Sequence, residues 1–159
     1  MDYEIELARP TDALTLGQMS RDLVESGLGW SWKPSRILSM IQHPDVVVIV
    51  ARTRFGVAGF AIMEFHETRA HLNLLAVKPT QRRAGIGRAL VAWLEESARI
   101  AGIEGIYLEV RVGNNDAQAF YKSLGFTEGK VVKGYYRGRE SAMTMLRELM
   151  SPEVASQRP

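Results

Sequence analysis

The chain has 159 residues, of which 46% are hydrophobic and 24% charged, with a net charge of +2 and no cysteine. This composition predicts a globular protein with one hydrophobic core, and it excludes a disulfide scaffold, a thiol nucleophile and a cysteine-ligated metal. Basic residues are dispersed and no segment reaches the roughly 20 apolar residues of a membrane span, so we expect neither a dedicated nucleic-acid binder nor a membrane protein.

The first half of the chain contains strand and helix patterns separated by polar or glycine-bearing loops. Asp12 follows an Arg-Pro-Thr sequence and is predicted to cap the first helix. Gly27–Lys33 is predicted to be a loop, and it carries two tryptophans. The predicted elements are a strand at Tyr3–Ala8, helices at Leu14–Val24 and Pro34–Ile41, and strands at Asp45–Arg52, Val57–Glu64 and Ala70–Val77.

The second half predicts a strand–helix–strand unit followed by a helix and two strands. The predicted elements are a helix at residues 86–101, a strand at Ile106–Val112, a helix at 115–124 capped by Asn114 or Asn115, and strands at Phe126–Val132 and Ala142–Leu146. The strand–helix–strand unit predicts a parallel pair and the earlier hairpin predicts antiparallel neighbours. The fold class is therefore α/β, with a mixed central sheet and helices on both faces. One domain is expected over residues 1–150, with a disordered tail at 151–159.

The segment Arg82–Arg88 combines arginines and glycines between an apolar strand and an amphipathic helix. Free backbone N–H groups in such a turn, together with the positive end of the helix dipole, suit a phosphate or pyrophosphate. Gly85 and Gly87 lack a Cβ, so an anion can approach the backbone closely. The alternative is a solvated turn with a C-cap glycine. The full P-loop and dinucleotide-binding patterns are absent, which disfavours a Rossmann oxidoreductase.

Two ionisable side chains downstream are candidates for proton transfer. Tyr121 lies at the edge of the apolar stripe of its helix, where it either packs its ring or donates a proton to a leaving thiolate. Glu109 lies in the middle of an apolar strand. It either forms a buried ion pair, for instance with Arg111 or Arg137, or acts as a general base. The three histidines lack metal-ligand spacing and are interpreted as ordinary surface or core residues, so no metal is expected.

Two motifs at the right separation resemble the GNAT superfamily of acyl-CoA-dependent N-acyltransferases. Residues 82–87 match its R/Q-x-x-G-x-G/A pyrophosphate loop, and residues 114–126 match the N-x-x-A-x-x-F-Y-x-x-x-G-F signature of its later helix. The resemblance implies a GNAT fold, in which the central parallel strands splay apart and acetyl-CoA, as co-substrate, lies in the gap.

The resemblance also implies a set of site residues and a mechanism of direct attack by an amine on the thioester. Glu109 would be the base and Tyr121 the acid, with the oxyanion held by a backbone N–H near residues 75–77. The cofactor-binding residues would be Leu75, Ala76, Val77, Arg82, Arg83, Ala84, Gly85, Ile86, Gly87, Arg88, Asn114 and Tyr121.

The acceptor is less defined by the sequence than the acetyl donor. Residues 108–114 and 134–140 look like those of bacterial enzymes that acetylate the N-terminal alanine of a ribosomal protein, which implies a protein N-terminus as acceptor. Gly27–Pro34 departs from the corresponding loop of those enzymes. Trp30, Trp32 and Tyr136 are candidate acceptor residues, although the tryptophans could equally fasten the helix pair to the core.

Three alternative functions remain open. They are a small-molecule amine acetyltransferase, a non-catalytic acyl-CoA-binding module, and a protein-binding or ribosome-associated factor that acts without CoA. The first residues lack the pattern of a signal peptide, so a cytoplasmic location is expected. The oligomeric state is left open.

Overall fold

The computed structural model describes residues 2–150, and for residues 82–84 it describes the backbone alone. The strands are β1 (Glu4–Leu7), β2 (Val46–Thr53), β3 (Gly56–Phe65), β4 (Arg69–Val77), β5 (Gly105–Arg111), β6 (Thr127–Tyr136) and β7 (Glu140–Glu148). The α-helices are α1 (Ala13–Met19), α2 (Pro34–Gln42), α3 (Ile86–Ile100) and α4 (Asn115–Ser123). Two 3₁₀ segments (Pro10–Asp12 and Pro79–Ala84) and one π-helical turn (Ser20–Val24) complete the elements.

The strands form one mixed sheet in the order β1-β2-β3-β4-β5-β7-β6. β4 and β5 pair in parallel, with Arg69–His71 beside Gly105–Tyr107, whereas β2 is antiparallel to both β1 and β3, and β7 to both β5 and β6. The mixed α/β fold predicted from the element order is thereby confirmed. The splaying of the parallel pair beyond these residues stays a prediction.

Contacts divide the chain into two compact units. The first runs up to Phe65 and includes Leu72–Leu94, and the second consists of His66–His71 and the residues from Glu95 onward. The expectation of one domain over 1–150 stays a prediction, and the expected tail at 151–159 lies outside the described residues. Within the described part of the chain, no helix is both long enough and apolar enough to cross a membrane.

In the first unit, the sheet carries helices on both faces. Alternate residues of β2 and β3, such as Val48 and Phe60, join the buried cluster that also holds Leu16 of α1 and Ile37 of α2. On the other face of β3, a Cβ added at Gly59 would lie 3.1 Å from Ile86 at the start of α3. Side chains of successive strand residues point to opposite faces, which fixes the two layers.

The first helix is shorter than predicted. The α-helical pattern predicted for Leu14–Val24 ends at Met19 and continues as a π-helical turn over Ser20–Val24. Asp12 is at the predicted cap position, but its side chain makes no capping bond to α1. Its carboxylate instead accepts from the backbone N–H of Arg9 at 2.8 Å and from Arg52 at 2.8 Å, since a long-range arginine competes for the same oxygens.

In the second unit, β5 has one apolar and one polar face. Ile106, Leu108 and Val110 are buried, and the alternating residues Tyr107, Glu109 and Arg111 are half-buried. The antiparallel partner β7 places Thr144 opposite Glu109 and Ala142 opposite Arg111. The Glu109 carboxylate therefore lies on the polar face of β5. This face carries the site described next.

Candidate active site

The loop before α3 leaves its backbone accessible. Gly85 has φ +77°, a left-handed conformation that favours glycine, and a Cβ added there would find no atom within 4 Å. The Gly85 carbonyl accepts a hydrogen bond from the backbone N–H of Ala89 at 3.0 Å, and this bond begins the first turn of α3. The N–H groups of that first turn have no partner within the helix and suit an anion. The open space at Gly85 leaves room for an anion, and binding of the CoA pyrophosphate there stays a prediction.

The other residues predicted to contact CoA lie on β4, in the loop before α3 and at the start of α4. Leu75 and Val77 are half-buried on β4 and Ala76 is buried. The side chains of residues 82–84 lie outside what the structure describes. Asn114 caps α4 as predicted, because its side-chain oxygen accepts the backbone N–H of Ala117 at 3.1 Å. Whether these residues hold CoA stays a prediction.

Glu109 is held by donors from two other strands. His71 Nε2 of β4 lies 2.6 Å from Glu109 Oε1, and the hydroxyl of Tyr135 on β6 donates to the same oxygen at 3.1 Å. The Glu109 side chain is 15% exposed. Arg111, one suggested ion-pair partner, pairs instead with Glu140 at 3.3 Å. The contacts of Glu109 with His71 and Tyr135 both fall on Oε1. The role of Glu109 as general base stays a prediction.

The ring of His71 is fixed by an aromatic neighbour. Parallel pairing sets His71 beside Tyr107, and their rings stack with centroids 4.5 Å apart and planes 5° from parallel. Tyr107 and Glu109 share one face of β5, so the strand that fixes the ring also presents the carboxylate. Sequence reasoning missed His71 because the register of two strands 38 residues apart has no local signal.

Tyr121 is buried against aromatic rings. The edge-on rings of Phe120 and Phe126 are centred 5.3 Å and 5.5 Å away. Burial raises the pKa of Tyr121 above its ordinary value, and its interaction with Tyr136 raises this pKa further. Tyr121 therefore keeps its proton at neutral pH, as a general acid must before it donates.

Tyr136 interacts with both predicted proton-transfer residues. Its pKa is raised by burial first, then by Tyr135 and Glu109, and it interacts electrostatically with Tyr121 as well. Its ring contacts that of Tyr135 edge-on, with centroids 4.9 Å apart. In the second unit, His71 and Tyr135 thus contact Glu109, and Tyr136 interacts electrostatically with both Glu109 and Tyr121.

The two tryptophans of the first unit make contacts that fasten the α1–α2 connection. Trp32 is 8% exposed and belongs to the buried cluster, with the guanidinium of Arg36 3.6 Å from its ring centre. Trp30 donates its indole N–H to the carbonyl of Gly17 at 3.0 Å. These contacts favour the interpretation that the tryptophans anchor the helix pair. Their role as acceptor residues stays a prediction.

A buried carboxylate in the same connection was not predicted from the sequence. Glu25 is 8% exposed and accepts hydrogen bonds from the hydroxyl of Ser20, the backbone and hydroxyl of Ser31, and the backbone of Trp32. Burial alone would raise the pKa of Glu25, but the bonds from Ser31, Ser20 and Trp32 outweigh it and lower the pKa. The hydrogen bonds of the connection between α1 and α2 therefore converge on the charged carboxylate of Glu25.

Among the described residues there is no group of three histidine, cysteine, aspartate or glutamate side chains that could hold a metal ion. The chemistry that the site can perform rests on a carboxylate, a histidine and phenols. These groups accept or donate protons, and they suit a transfer reaction in which an amine loses a proton and a leaving group gains one.

The match to the acetyltransferase (GNAT) family covers residues 18–126, and the chain belongs to this family. Among known proteins it is similar to the ribosomal protein bS18 alanine N-acetyltransferase of Escherichia coli strain K12, at 41% identity over 91 residues. That alignment covers 55% of this chain and 62% of the relative, so it spans less than two thirds of the relative's length. The N-alpha-acetyltransferase of Sulfurisphaera tokodaii is 36% identical over 153 residues, covering 91% of this chain and 92% of that protein.

Solved structures agree with the sequence relatives. The crystal structure of the bS18 alanine N-acetyltransferase from Escherichia coli superposes with a TM-score of 0.82 and 29% identity, covering 96% of this chain and 97% of that chain. Other structural neighbours are the PaiA N-acetyltransferase of Thermoplasma acidophilum, solved with coenzyme A, and Naa20 of Chaetomium thermophilum, solved with a bisubstrate analogue. The predicted GNAT resemblance and fold are thereby confirmed.

Proposed function

We propose that this chain is an N-acetyltransferase that transfers the acetyl group of acetyl-CoA to the N-terminal amine of a protein, by direct attack of the amine. The observation that carries the proposal is Glu109, held through one oxygen by His71 and Tyr135, in the same unit as the buried, protonated Tyr121. Family membership supports the acetyl donor, and relatives named for acetylation of a protein N-terminus support the acceptor.

Each residue has a distinct task in the proposed reaction. Acetyl-CoA, when bound, supplies the acetyl group as an activated thioester. Glu109 takes the proton that the attacking amine must lose, while His71 and Tyr135 hold the carboxylate in place. Tyr121 gives its phenolic proton to the sulfur that leaves. The backbone at Gly85 and the first turn of α3 hold the pyrophosphate, and no covalent intermediate with the protein is required.

The location and the acceptor follow from the same argument. A ribosomal protein is the substrate in the name of the Escherichia coli relative, and ribosomal proteins are made in the cytoplasm. We therefore place this chain in the cytoplasm. We assign Tyr136, which lies in the same unit as Glu109, to recognition of the acceptor.

The test is release of free CoA thiol in the presence of a panel of amines. The chain contains no cysteine, so a thiol reagent detects only CoA. Peptides with a free N-terminal alanine, serine or methionine should release CoA, whereas the same peptides with a blocked N-terminus should not. Turnover of small amines alone would make the chain a small-molecule acetyltransferase. Binding of CoA without turnover of any amine would make it a binding module.

A further inference from the structure

The turn between β6 and β7 lies beyond the backbone pairing with β5. Pairing of β7 with β5 reaches its end where the backbone N–H of Val112 donates to the carbonyl of Ser141 at 3.1 Å. The turn itself is closed by its own bonds, from the N–H of Gly138 to the carbonyl of Gly134 at 2.8 Å and from Arg139 to Tyr136 at 2.9 Å. The position of this turn relative to β5 therefore depends on side chains. We call residues 134–140 the hairpin tip.

One ion pair connects the hairpin tip to β5. Arg111 Nη1 lies 3.3 Å from Glu140 Oε2, with side-chain exposures of 22% and 41%. Glu140 is the register partner of Tyr136 across the hairpin. The guanidinium carbon of Arg111 also lies 6.0 Å from the centre of the Tyr136 ring, within reach of a cation–π interaction. Arg111 thus contacts both strands of the tip.

The hairpin tip carries two of the groups that interact with Glu109, and His71 of β4 is another. Tyr135 donates its hydroxyl to Glu109 Oε1 at 3.1 Å, and Tyr136 interacts electrostatically with Glu109 and Tyr121. Arg111 lies two residues beyond Glu109 on the same face of β5. The strand that presents the carboxylate therefore also presents the cation that holds the tip.

We propose that Arg111 is a positioning residue, which holds the hairpin tip through Glu140 so that Tyr135 and Tyr136 stay at Glu109. The effect of Arg111 on catalysis rests on the proposed acetyl transfer, whereas the holding of the tip by the Arg111–Glu140 ion pair does not. A partly exposed ion pair contributes little free energy. Its loss therefore shifts the equilibrium of the tip from the held towards the loosened position and leaves the fold intact. When only the held fraction binds acceptor, the apparent affinity falls in proportion to that fraction.

The experiment compares Arg111→Met and Glu140→Gln with the matched control Arg139→Met, which removes a charge from the same turn. The first readout, which needs no activity, is hydrogen exchange of the Val112 amide, because its bond to the carbonyl of Ser141 joins β5 to the base of the tip. We expect about three- to fivefold faster exchange in the first two variants, the range that such a pair supports, and wild-type exchange in the control. Equal exchange in all four proteins overturns the proposal.

The second readout is steady-state kinetics with a peptide that carries a free N-terminal alanine. We expect the acceptor KM to rise in Arg111→Met and Glu140→Gln by at most about three- to fivefold, because the held fraction cannot fall by more than the ratio of held to loosened tip does. We expect kcat to be recovered at saturating peptide and the Kd for CoA to be unchanged. A fall in kcat with unchanged KM would contradict the positioning role. If the wild type acetylates none of the amines, the proposed function fails, and the exchange measurement still decides whether Arg111 holds the tip.

Discussion

One carboxylate oxygen of Glu109 receives contacts from two strands far apart in sequence. This geometry predicts a defined pH dependence for Glu109→Gln, which removes the charge and nearly keeps the shape. Turnover should fall sharply at neutral pH and less at high pH, because there the acceptor amine is already deprotonated. The measurement is a pH–rate profile alongside thermal unfolding of the same preparation. A destabilised but fully active variant would show that Glu109 is structural.

Tyr121 permits a second test at the level of one residue. Tyr121→Phe keeps the ring that packs against Phe120 and Phe126 and removes the proton donor. Turnover should fall by roughly 10²–10⁴, with CoA affinity and thermal stability nearly unchanged. The raised pKa of Tyr121 also implies that an alkaline limb of the rate profile near neutral pH comes from another group. Near-normal turnover, with chemistry rate-limiting, would leave Tyr121 as a packing residue.

At the scale of elements, the connection between α1 and α2 depends on Glu25. The folded-state pKa of Glu25 is lowered, so its contribution to stability is complete above the ordinary glutamate pKa and is lost as the pH falls through the folded value. Glu25→Gln should therefore lower the free energy of unfolding by about 1–3 kcal/mol at pH 7, through the lost charge-assisted hydrogen bonds. The difference from the wild type should shrink at acid pH.

Urea unfolding at pH 7 and pH 3 measures this effect, and Glu96→Gln is the matched control. Glu96 is exposed on α3, so its substitution should change the free energy of unfolding by no more than about 0.5 kcal/mol. A Glu25 variant whose loss of stability is the same at both pH values would mean that shape, and not charge, holds the loop.

The connection between α1 and α2 is also where the prediction of secondary structure was wrong. Helical periodicity predicted one helix over Leu14–Val24, and the structure replaces its last turn with a π-helical turn whose Ser20 donates to Glu25. The element order, the start of α2 at Pro34, the cap at Asn114 and the antiparallel hairpin between β2 and β3 were correct, because each depends on residues adjacent in sequence. Tertiary contacts overrode the local pattern at this turn and at Asp12, whose carboxylate binds Arg52 and does not cap α1.

At the scale of the whole molecule, binding of CoA should stabilise the fold. At a concentration 100 times its Kd, a ligand that binds the folded state alone adds about 2.7 kcal/mol, which for a chain of this size raises Tm by roughly 5–10 °C. Gly85→Asp should abolish the shift, because it places a negative charge and a side chain at the open turn.

Gly85→Asn is the matched control, since it has nearly the same shape, tolerates a left-handed φ comparably and lacks the charge. The difference between the two variants in the Tm shift isolates the electrostatic contribution of the anion. Equal CoA-dependent shifts in the wild type and a folded Gly85→Asp protein would reject this loop as the pyrophosphate site.

The sequence by itself determined the family, the mixed α/β fold and two of the candidate catalytic residues, because glycine spacing, helix signatures and periodicity are local features. Only the tertiary structure decided what surrounds Glu109. His71 reaches it across 38 residues and Tyr135 across 26, and both contacts depend on strand register. The pairing of Arg111 with Glu140 and the burial of Glu25 were decided in the same way. A register shift of one residue would turn each strand side chain to the other face, and local patterns do not fix which register is adopted.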